Sequence, residues 1–389
     1  MGLGSGVVTV VNKPKEPFLL SSIRWLVAIF FIASPLSPFV ANTTLYLWIP
    51  LIFLDVQFIK SFERISISIA LCVVFWISLC LIFFRIDIAM KSAVLIIGIY
   101  YLIRIGDNIM NKLYVCMMFS IFWCILQFSA FHISPIYSAM LGPGAISKFF
   151  WGEYATHTYT NQFAIFLFPR MSGLSREAGF FASLLVIFYM IRVRDHKLNI
   201  YEKIMFLLGF VFSLSKASVA LFVYFIAKSV RPILNKVPVI AAFFAFIIIF
   251  ISLANILNIG TPQFFYANES ITHRLSASYL MFHTEIKNLL VGCNSSYQCI
   301  VDYQPMVDFL SSKGLPPAVG LSGVVMDMGL IGLISIIFFF VYLKLDSYDA
   351  TILILFTATV SFFTVDGFII LTYYYIITNH RRNIEPMQS

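Results

Sequence analysis

Long apolar runs alternate with short polar connections along almost the whole chain. A helix that crosses a bilayer needs about 20 predominantly apolar residues, and shorter runs suffice where the bilayer thins. The apolar tail 350–379 is too long for one ordinary span, and we split it into two short helices because Asp366-Gly367 interrupts it centrally. The pattern then predicts twelve spans, with eleven or ten as alternatives. The other spans lie near 25–41, 44–59, 65–84, 88–103, 113–131, 176–191, 200–213, 217–230, 237–257 and 318–343.

The composition changes the picture from a helical protein to a membrane protein. Of the 389 residues, 60% are hydrophobic and 11% are charged, whereas soluble domains carry roughly 45–50% apolar and 25% charged residues. A water-soluble fold could not bury so much apolar surface. We therefore expect an all-α, polytopic integral membrane protein in which residues 1–389 form a single transmembrane domain.

The basic residues indicate membrane topology and not nucleic-acid binding. The net charge is +8, from 26 Lys and Arg against 18 Asp and Glu, yet the cations sit mostly singly between apolar stretches. The positive-inside rule distributes charge in this way. Cations such as Arg104, Lys112 and the cluster in 192–203 place alternate loops in the cytoplasm. Both termini are then cytoplasmic, and the long loops 132–175 and 258–317 face outward.

These two outward loops are where we expect the chemistry, because loops of such length in a compact chain are usually functional. The second loop contains Cys293 and Cys299. In an oxidising compartment we expect a disulfide between them, with two free thiols as the alternative. Their spacing is not that of a zinc site. The sequence shows no Asp/Glu cluster that would hold a metal, so neither a metal nor a cofactor is expected.

Four short segments bring ionisable residues to the membrane boundary, where such groups usually serve a function. In the densest of them, Arg170, Arg176 and Glu177 enter an apolar helix together. A purely structural interpretation is an Arg176–Glu177 ion pair with Arg170 reaching the interface. The other three segments contain Lys216 in a serine-rich turn, His273-Arg274, and Asp327 before two glycines.

In their order along the chain, these segments resemble the O-antigen polymerase and O-antigen ligase superfamily, bacterial membrane proteins that build surface polysaccharide. The family has an Arg–small–Gly–x–x–x–Glu element, a Ser-Arg turn, an arginine that opens a large periplasmic loop before a Gly-rich turn, and a late acid–x–Gly–x–x–Gly segment. The resemblance covers roughly 165–335. The matching residues are Arg170, Gly173 and Glu177, then Ser215-Lys216, then Arg274 with Val291-Gly292, and last Asp327, Gly329 and Gly332.

The chain departs from the family pattern at two places. Ala318-Val319 stand where many ligases and many polymerases have a His-Asn pair, and Ala178 replaces the usual proline after Glu177. The missing histidine argues against an O-antigen ligase and against any mechanism built on that histidine.

The resemblance implies a fold like that of the C-type glycosyltransferases and an O-antigen polymerase in the bacterial inner membrane. It implies that undecaprenyl-diphosphate-linked oligosaccharide repeat units are joined at the periplasmic face. A lipid-linked diphosphate needs cations at that depth, and arginine suits bidentate phosphate contact. The expected clamp replaces a divalent metal. It consists of Arg170, Arg176, Lys216 and Arg274.

Glu177, beside the arginines, is the expected general base for the acceptor hydroxyl, with Asp327 and His273 as weaker candidates. The expected partners are membrane lipids, the lipid-linked repeat units, a chain-length regulator and a flippase, without nucleic acid. An O-antigen ligase, which differs only in its acceptor, remains an alternative. A lipid-linked oligosaccharide flippase or other transporter is another, although such proteins are expected to show internal repeats, and none is visible in the sequence.

Overall fold

The computed structural model describes residues 16–40, 43–165, 168–214, 219–256, 269–281, 284–293, 308, 310–312, 319–358 and 360–384. Within these ranges the chain is mostly helical. The helices are Phe18–Ile32 (α1), Trp48–Ile52 (α2), Val56–Ser61 (α3), Ile67–Ile82 (α4), Ile86–Ile105 (α5), Asp107–Ile133 (α6), Pro135–Met140 (α7), Pro143–Trp151 (α8), Ala178–Asp195 (α9), Ile200–Ser213 (α10), Val219–Ser229 (α11), Arg231–Leu234 (α12), Val239–Ile256 (α13), Glu269–Leu280 (α14), Ile286–Val291 (α15), Gly320–Tyr342 (α16), Ser347–Thr357 (α17) and Gly367–Ile384 (α18).

Two small antiparallel hairpins interrupt the described helices. The first pairs Phe39–Val40 (β1) with Thr43–Thr44 (β2), and the second pairs Gln162–Ile165 (β3) with Phe168–Arg170 (β4). The second hairpin lies in the first predicted outward loop and leads directly into the predicted site.

Among the helices in the described ranges, three are long and apolar enough to cross a membrane, namely α5, α6 and α16. The shorter helices α1, α4 and α17 are also apolar. The protein is therefore a helical protein with candidate membrane-spanning helices, whereas a total of twelve spans stays a prediction.

Several predicted spans coincide with helices. The span predicted at 200–213 has the bounds of α10, and those predicted at 88–103 and 113–131 lie within α5 and α6. The apolar tail forms two helices, as expected from its interruption, and α18 begins at Gly367, directly after Asp366.

The first two predicted spans are wrong in their bounds. Residues 44–59 do not form one helix, because the Asp55 carboxylate accepts the amides of Gln57 and Phe58 and so starts α3. The first helix, predicted near 25–41, spans Phe18–Ile32 and so includes Arg24, which is fully buried. Its Nε donates to Asp55 Oδ2 at 2.7 Å, which makes burial of the charge tolerable.

Ion pairs between helix ends show which ends lie on the same side of the bundle. They join residues at the starts of α1, α6, α10 and α17 to partners at helix ends or in adjoining turns. We call this side the terminal end, and the side with the second hairpin and the start of α9 the loop end. The pairs at the terminal end are Arg24–Asp55, Lys112–Glu16, Arg192–Glu202 and Arg231–Asp346.

Candidate functional site

The arginine segment, residues 170–177, is held tightly against α6 at the loop end. Gln127 Nε2 donates to the Gly173 carbonyl at 2.8 Å, and Gln127 Oε1 accepts the Gly173 amide at 3.0 Å. Gly173 has a φ of +55°, and a Cβ there would lie 2.8 Å from the Phe181 ring and 2.9 Å from the Ser120 carbonyl. Only glycine fits this conformation and this close approach.

Backbone hydrogen bonds tie the arginine segment to two further elements. The Met171 amide donates to the carbonyl of Phe212, at the end of α10, at 2.9 Å. The Tyr159 amide donates to the Arg176 carbonyl at 2.8 Å. The segment is therefore fixed on several sides, which positions its charged side chains.

The structure places Glu177 and Arg274, two residues predicted for the site, close enough to Arg170 for their charges to act on its guanidinium. Burial lowers the pKa of Arg170, the charge of Glu177 raises it, and the charge of Arg274 lowers it again. Arg170 ends β4 and Glu177 has extended backbone (φ −154°, ψ 164°) before α9. Arg170 and Glu177 are therefore positioned by a strand and the turn that follows it, and they do not share one face of a helix. Arg274 belongs to a separate element, α14.

Arg176 is exposed, and its contact differs from those of Arg170. Its guanidinium lies 4.4 Å from the centre of the Phe180 ring, a cation–π contact. Within the described part of the chain it forms no ion pair, so the structural Arg176–Glu177 pair is not formed.

A narrow cleft opens beside Arg176, between the end of α1 and the starts of α9 and α18. It spans about 420 Å³ together with the solvent at its mouth, and its enclosed part has room for about one water-sized group. Ser175 is 2% exposed, and its Oγ has no hydrogen-bond partner among the described residues. A buried hydroxyl without a hydrogen bond destabilises a fold by about 1–3 kcal/mol. The Ser175 hydroxyl can therefore form a hydrogen bond with a polar group that binds in the cleft. We call this site the polar cleft. Its walls include Tyr46, Thr156, Ser175, Arg176, Phe180 and Asp366.

Asp366 is the carboxylate of the polar cleft, and sequence reasoning assigned it only a helix break. Thr364 Oγ1 donates to its Oδ2 at 2.6 Å, and Tyr46 Oη donates to its Oδ1 at 3.5 Å. An acid at an interruption between two apolar helices, on the predicted outward side, was the signal that could have identified it. Tyr46 carried no comparable signal in the sequence.

A second, wider depression adjoins the polar cleft, and Thr156 lines both. It encloses about 1310 Å³, part of it open to solvent. We call it the loop depression, since the first predicted outward loop forms it. Its polar wall residues are Lys148, Glu153, His157, Thr158, Thr160 and Asn161.

Asp327 lies in a different environment. Arg85 Nη2 donates to its Oδ1 at 2.7 Å, and both side chains are 9% exposed. Arg85 Nη1 also donates to the Cys293 carbonyl at 3.0 Å. Gly329, with a φ of +68°, kinks α16, and a Cβ there would overlap the Leu290 carbonyl. The Asp327 charge thus helps to fix the kinked helix against residues 290–293.

The remaining predicted residues fall partly or wholly outside the described ranges. Lys216 and Cys299 lie outside them, as does the side chain of His273, whose backbone belongs to α14. Cys293 is disulfide-bonded, but its pairing with Cys299 stays a prediction. Among the described residues, no group of three His, Cys, Asp or Glu side chains is arranged to hold a metal ion.

Comparison with known proteins does not identify a family: no family model, no curated protein and no solved structure matches the chain.

Proposed function

We propose that this chain is an O-antigen polymerase, a glycosyltransferase that joins undecaprenyl-diphosphate-linked oligosaccharide repeat units. The observation that carries the proposal is the approach of Arg274 to Arg170, since the two come from separate segments. The two guanidinium charges exceed the single carboxylate charge of Glu177 beside Arg170, and a bound anion balances the excess. A lipid-linked diphosphate brings such an anion to the headgroup level of a membrane.

In this proposal the cations bind the diphosphate and stabilise the charge that develops on it as the sugar leaves. Arg170 and Arg274 hold it from two sides, and the Glu177 carboxylate keeps Arg170 oriented. Arg176 adds a further guanidinium from the polar cleft. Lys216 completes the proposed clamp.

The loop depression supports an oligosaccharide substrate. Its hydroxyl and amide side chains, including Thr158, Thr160 and Asn161, offer the donors and acceptors that sugar hydroxyls require. Thr156 lines both sites, so the depression and the polar cleft adjoin at this residue.

The proposal also assigns an orientation in the bacterial inner membrane. The loop end faces the periplasm, and the terminal end, with both termini, faces the cytoplasm. Cations gathered at the terminal end support this assignment, since cytoplasmic loops carry the excess of Lys and Arg. A chain-length regulator and a flippase that delivers the repeat units are the proposed partners.

Deletion of the gene in its host, followed by gel analysis of lipopolysaccharide, tests the proposal. Core carrying a single repeat unit is the expected product of the deletion strain. Core without any repeat unit would instead indicate an O-antigen ligase. Accumulation of inward-facing lipid-linked units would indicate a flippase, and an unchanged polymer ladder would contradict all three functions.

Complementation of that strain tests the cationic clamp. Arg170→Ala, Arg176→Ala and Arg274→Ala should lose most of the polymer while membrane levels of the protein stay near those of wild type. Lys91→Ala is the matched control, since Lys91 is 52% exposed and its charge lies outside the site at the same end. Normal polymer from the three site variants at normal abundance would remove the clamp from the proposal.

A further inference from the structure

Opposite charges line the polar cleft without pairing to each other. The Arg176 guanidinium packs on the Phe180 ring, and the Asp366 carboxylate is held by Thr364. No ion pair joins the two groups in the described structure. Beside these two charges the cleft has room for about one water-sized group, which is the size of a single reacting hydroxyl.

We propose that Asp366 is the general base of the glycosyl transfer, with its Oδ1 accepting the proton of the acceptor hydroxyl. This inference rests on the proposed function and names the group that activates the acceptor. The donor diphosphate lies outside the mouth of the cleft, on the exposed Arg176 guanidinium, and the acceptor hydroxyl enters the cleft toward Asp366.

The two carboxylate oxygens of Asp366 differ in how firmly they are engaged. Oδ2 accepts a short hydrogen bond of 2.6 Å from Thr364, which fixes the orientation of the side chain. Oδ1 accepts only a long one of 3.5 Å from Tyr46 Oη. Oδ1 therefore keeps acceptor capacity toward the cleft, as a base requires.

The Asp366 side chain does not cap α18, the helix that it directly precedes. It directly precedes α18, where an aspartate commonly accepts the amides of the first turn. Here the carboxylate instead accepts from Tyr46 and Thr364, and the Ile369 amide donates to the Asp366 backbone carbonyl. The side chain is thus turned to the cleft and away from capping.

Glu177 is less well placed for this role. Its charge acts on Arg170, and it is not among the residues that line the polar cleft. Asp366 is the carboxylate that lines the cleft, so it is the one that an acceptor hydroxyl there would meet. In this proposal Glu177 orients the Arg170 guanidinium, and Asp366 accepts the proton.

The chemical step balances with the groups named. Asp366 Oδ1 takes the hydroxyl proton as the acceptor oxygen forms a bond to the anomeric carbon of the donor. The bond between that carbon and the diphosphate oxygen breaks, and its electron pair stays on the leaving lipid diphosphate. The proton on Asp366 then passes to water, which restores the carboxylate.

The test uses the purified full-length protein in lipid nanodiscs with undecaprenyl-diphosphate-linked repeat units as substrate. Asp366→Asn should lower kcat by about 100-fold or more, the range of a positioned general base, and leave KM for the donor nearly unchanged. Asp87→Asn is the matched control, because Asp87 begins the neighbouring helix α5 at the same end and is 55% exposed. In Asp366→Ala, added formate should restore part of the lost turnover, which a merely structural carboxylate would not show.

The outcomes separate this inference from the proposed function. If the wild-type protein releases no lipid diphosphate, the proposed function fails and the base assignment fails with it. If the wild type turns over while Asp366→Asn keeps more than roughly a third of its kcat, only the base assignment is overturned. Should Asp366→Asn fail to fold, Tyr46→Phe is measured instead. A lower kcat at unchanged donor KM supports the inference, and an unchanged kcat overturns it.

Discussion

The pair formed by Arg85 and Asp327 shows what a buried charge requires at the scale of a residue. Neither charge is stable alone in an apolar helical environment, and the 2.7 Å contact satisfies both. The contact also joins the turn before α5 to the kinked helix α16. Asp327 therefore has a structural role that does not depend on catalysis.

Removal of one partner of this pair should be far more damaging than removal of both. Arg85→Ala should lower the free energy of unfolding by roughly 3–5 kcal/mol, because it leaves a buried carboxylate uncompensated. The double variant Arg85→Met/Asp327→Leu should recover most of that loss. Titration with denaturing detergent, followed by circular dichroism, measures these differences.

A more exposed ion pair at the terminal end provides the control. Arg231 and Asp346 lie 3.5 Å apart, and their side chains are 29% and 22% exposed. Arg231→Ala should cost about 1 kcal/mol or less. A loss in Arg85→Ala no larger than this would contradict the assigned role of the buried pair.

The sequence predicted one half of that pair and missed the other. Asp327 stands out as an acid inside an apolar span, and such a residue needs a partner. Arg85 sits in a short turn between two spans, where a lone arginine is unremarkable. Arg85 pairs with Asp327 because of the way α4, α5 and α16 pack together. The spacing of apolar residues along the sequence does not predict that packing.

At the scale of an element, the arginine segment depends on Gly173. Gly173→Ala should destabilise the protein by more than the 1–3 kcal/mol typical of left-handed backbone strain, since its Cβ would also meet Phe181 and Ser120. Polymer formation should fall with it, because displacement of the segment moves Arg170 and Arg176. Thermal unfolding and the polymer assay on the same preparation check both effects.

Gly106→Ala separates strain from steric overlap. Gly106, between α5 and α6, has a φ of +57°, close to the +55° of Gly173, but nothing lies within 4 Å of its Cβ position, and it lines neither the polar cleft nor the loop depression. It should therefore show the strain cost alone, with polymer formation largely kept. Equal losses of stability in the two variants would show that the contact with α6 does not hold the segment.

The elements that the sequence predicted well are those whose ends carry local signals. The bounds of α10 follow from Asn199 and Glu202, which form a capping box at its start. The predicted span at 44–59 failed because Asp55 is both a helix cap and the buried partner of Arg24. A count of apolar residues treats such a position as a minor interruption, whereas tertiary packing makes it a helix start.

The candidate site was also predicted only in part, because some of its residues carry a local signal in the sequence and others are placed by tertiary packing. Arg170, Arg176, Glu177 and Arg274 are unusual in sequence because they are charged at the membrane boundary. The structure places Glu177 and Arg274 close enough to Arg170 for their charges to act on its guanidinium. Asp366 enters the polar cleft only because the ends of α1, α9 and α18 converge there, and that convergence is a property of the fold.

At the scale of the whole molecule, the proposed orientation makes a labelling prediction. In a cysteine-free background, Tyr154→Cys at the loop end should react with a membrane-impermeant maleimide on intact spheroplasts. Tyr201→Cys at the terminal end should react only after the membrane is permeabilised. Both tyrosines are exposed, at 59% and 77%, so burial does not confound the comparison. The reverse labelling pattern would place the polar cleft on the cytoplasmic side and remove the proposed substrate from its reach.

The central claim is that the polar cleft transfers a glycan from a lipid diphosphate. The most direct measurement is turnover by the purified protein in nanodiscs, with defined undecaprenyl-diphosphate-linked repeat units as the sole substrate. We expect a ladder of lipid-linked oligomers and one undecaprenyl diphosphate released for each new glycosidic bond, with both products lost together in Arg176→Ala. Repeat units recovered unjoined, without release of undecaprenyl diphosphate, while a liposome assay shows them moved across the bilayer, would contradict it and identify a transporter.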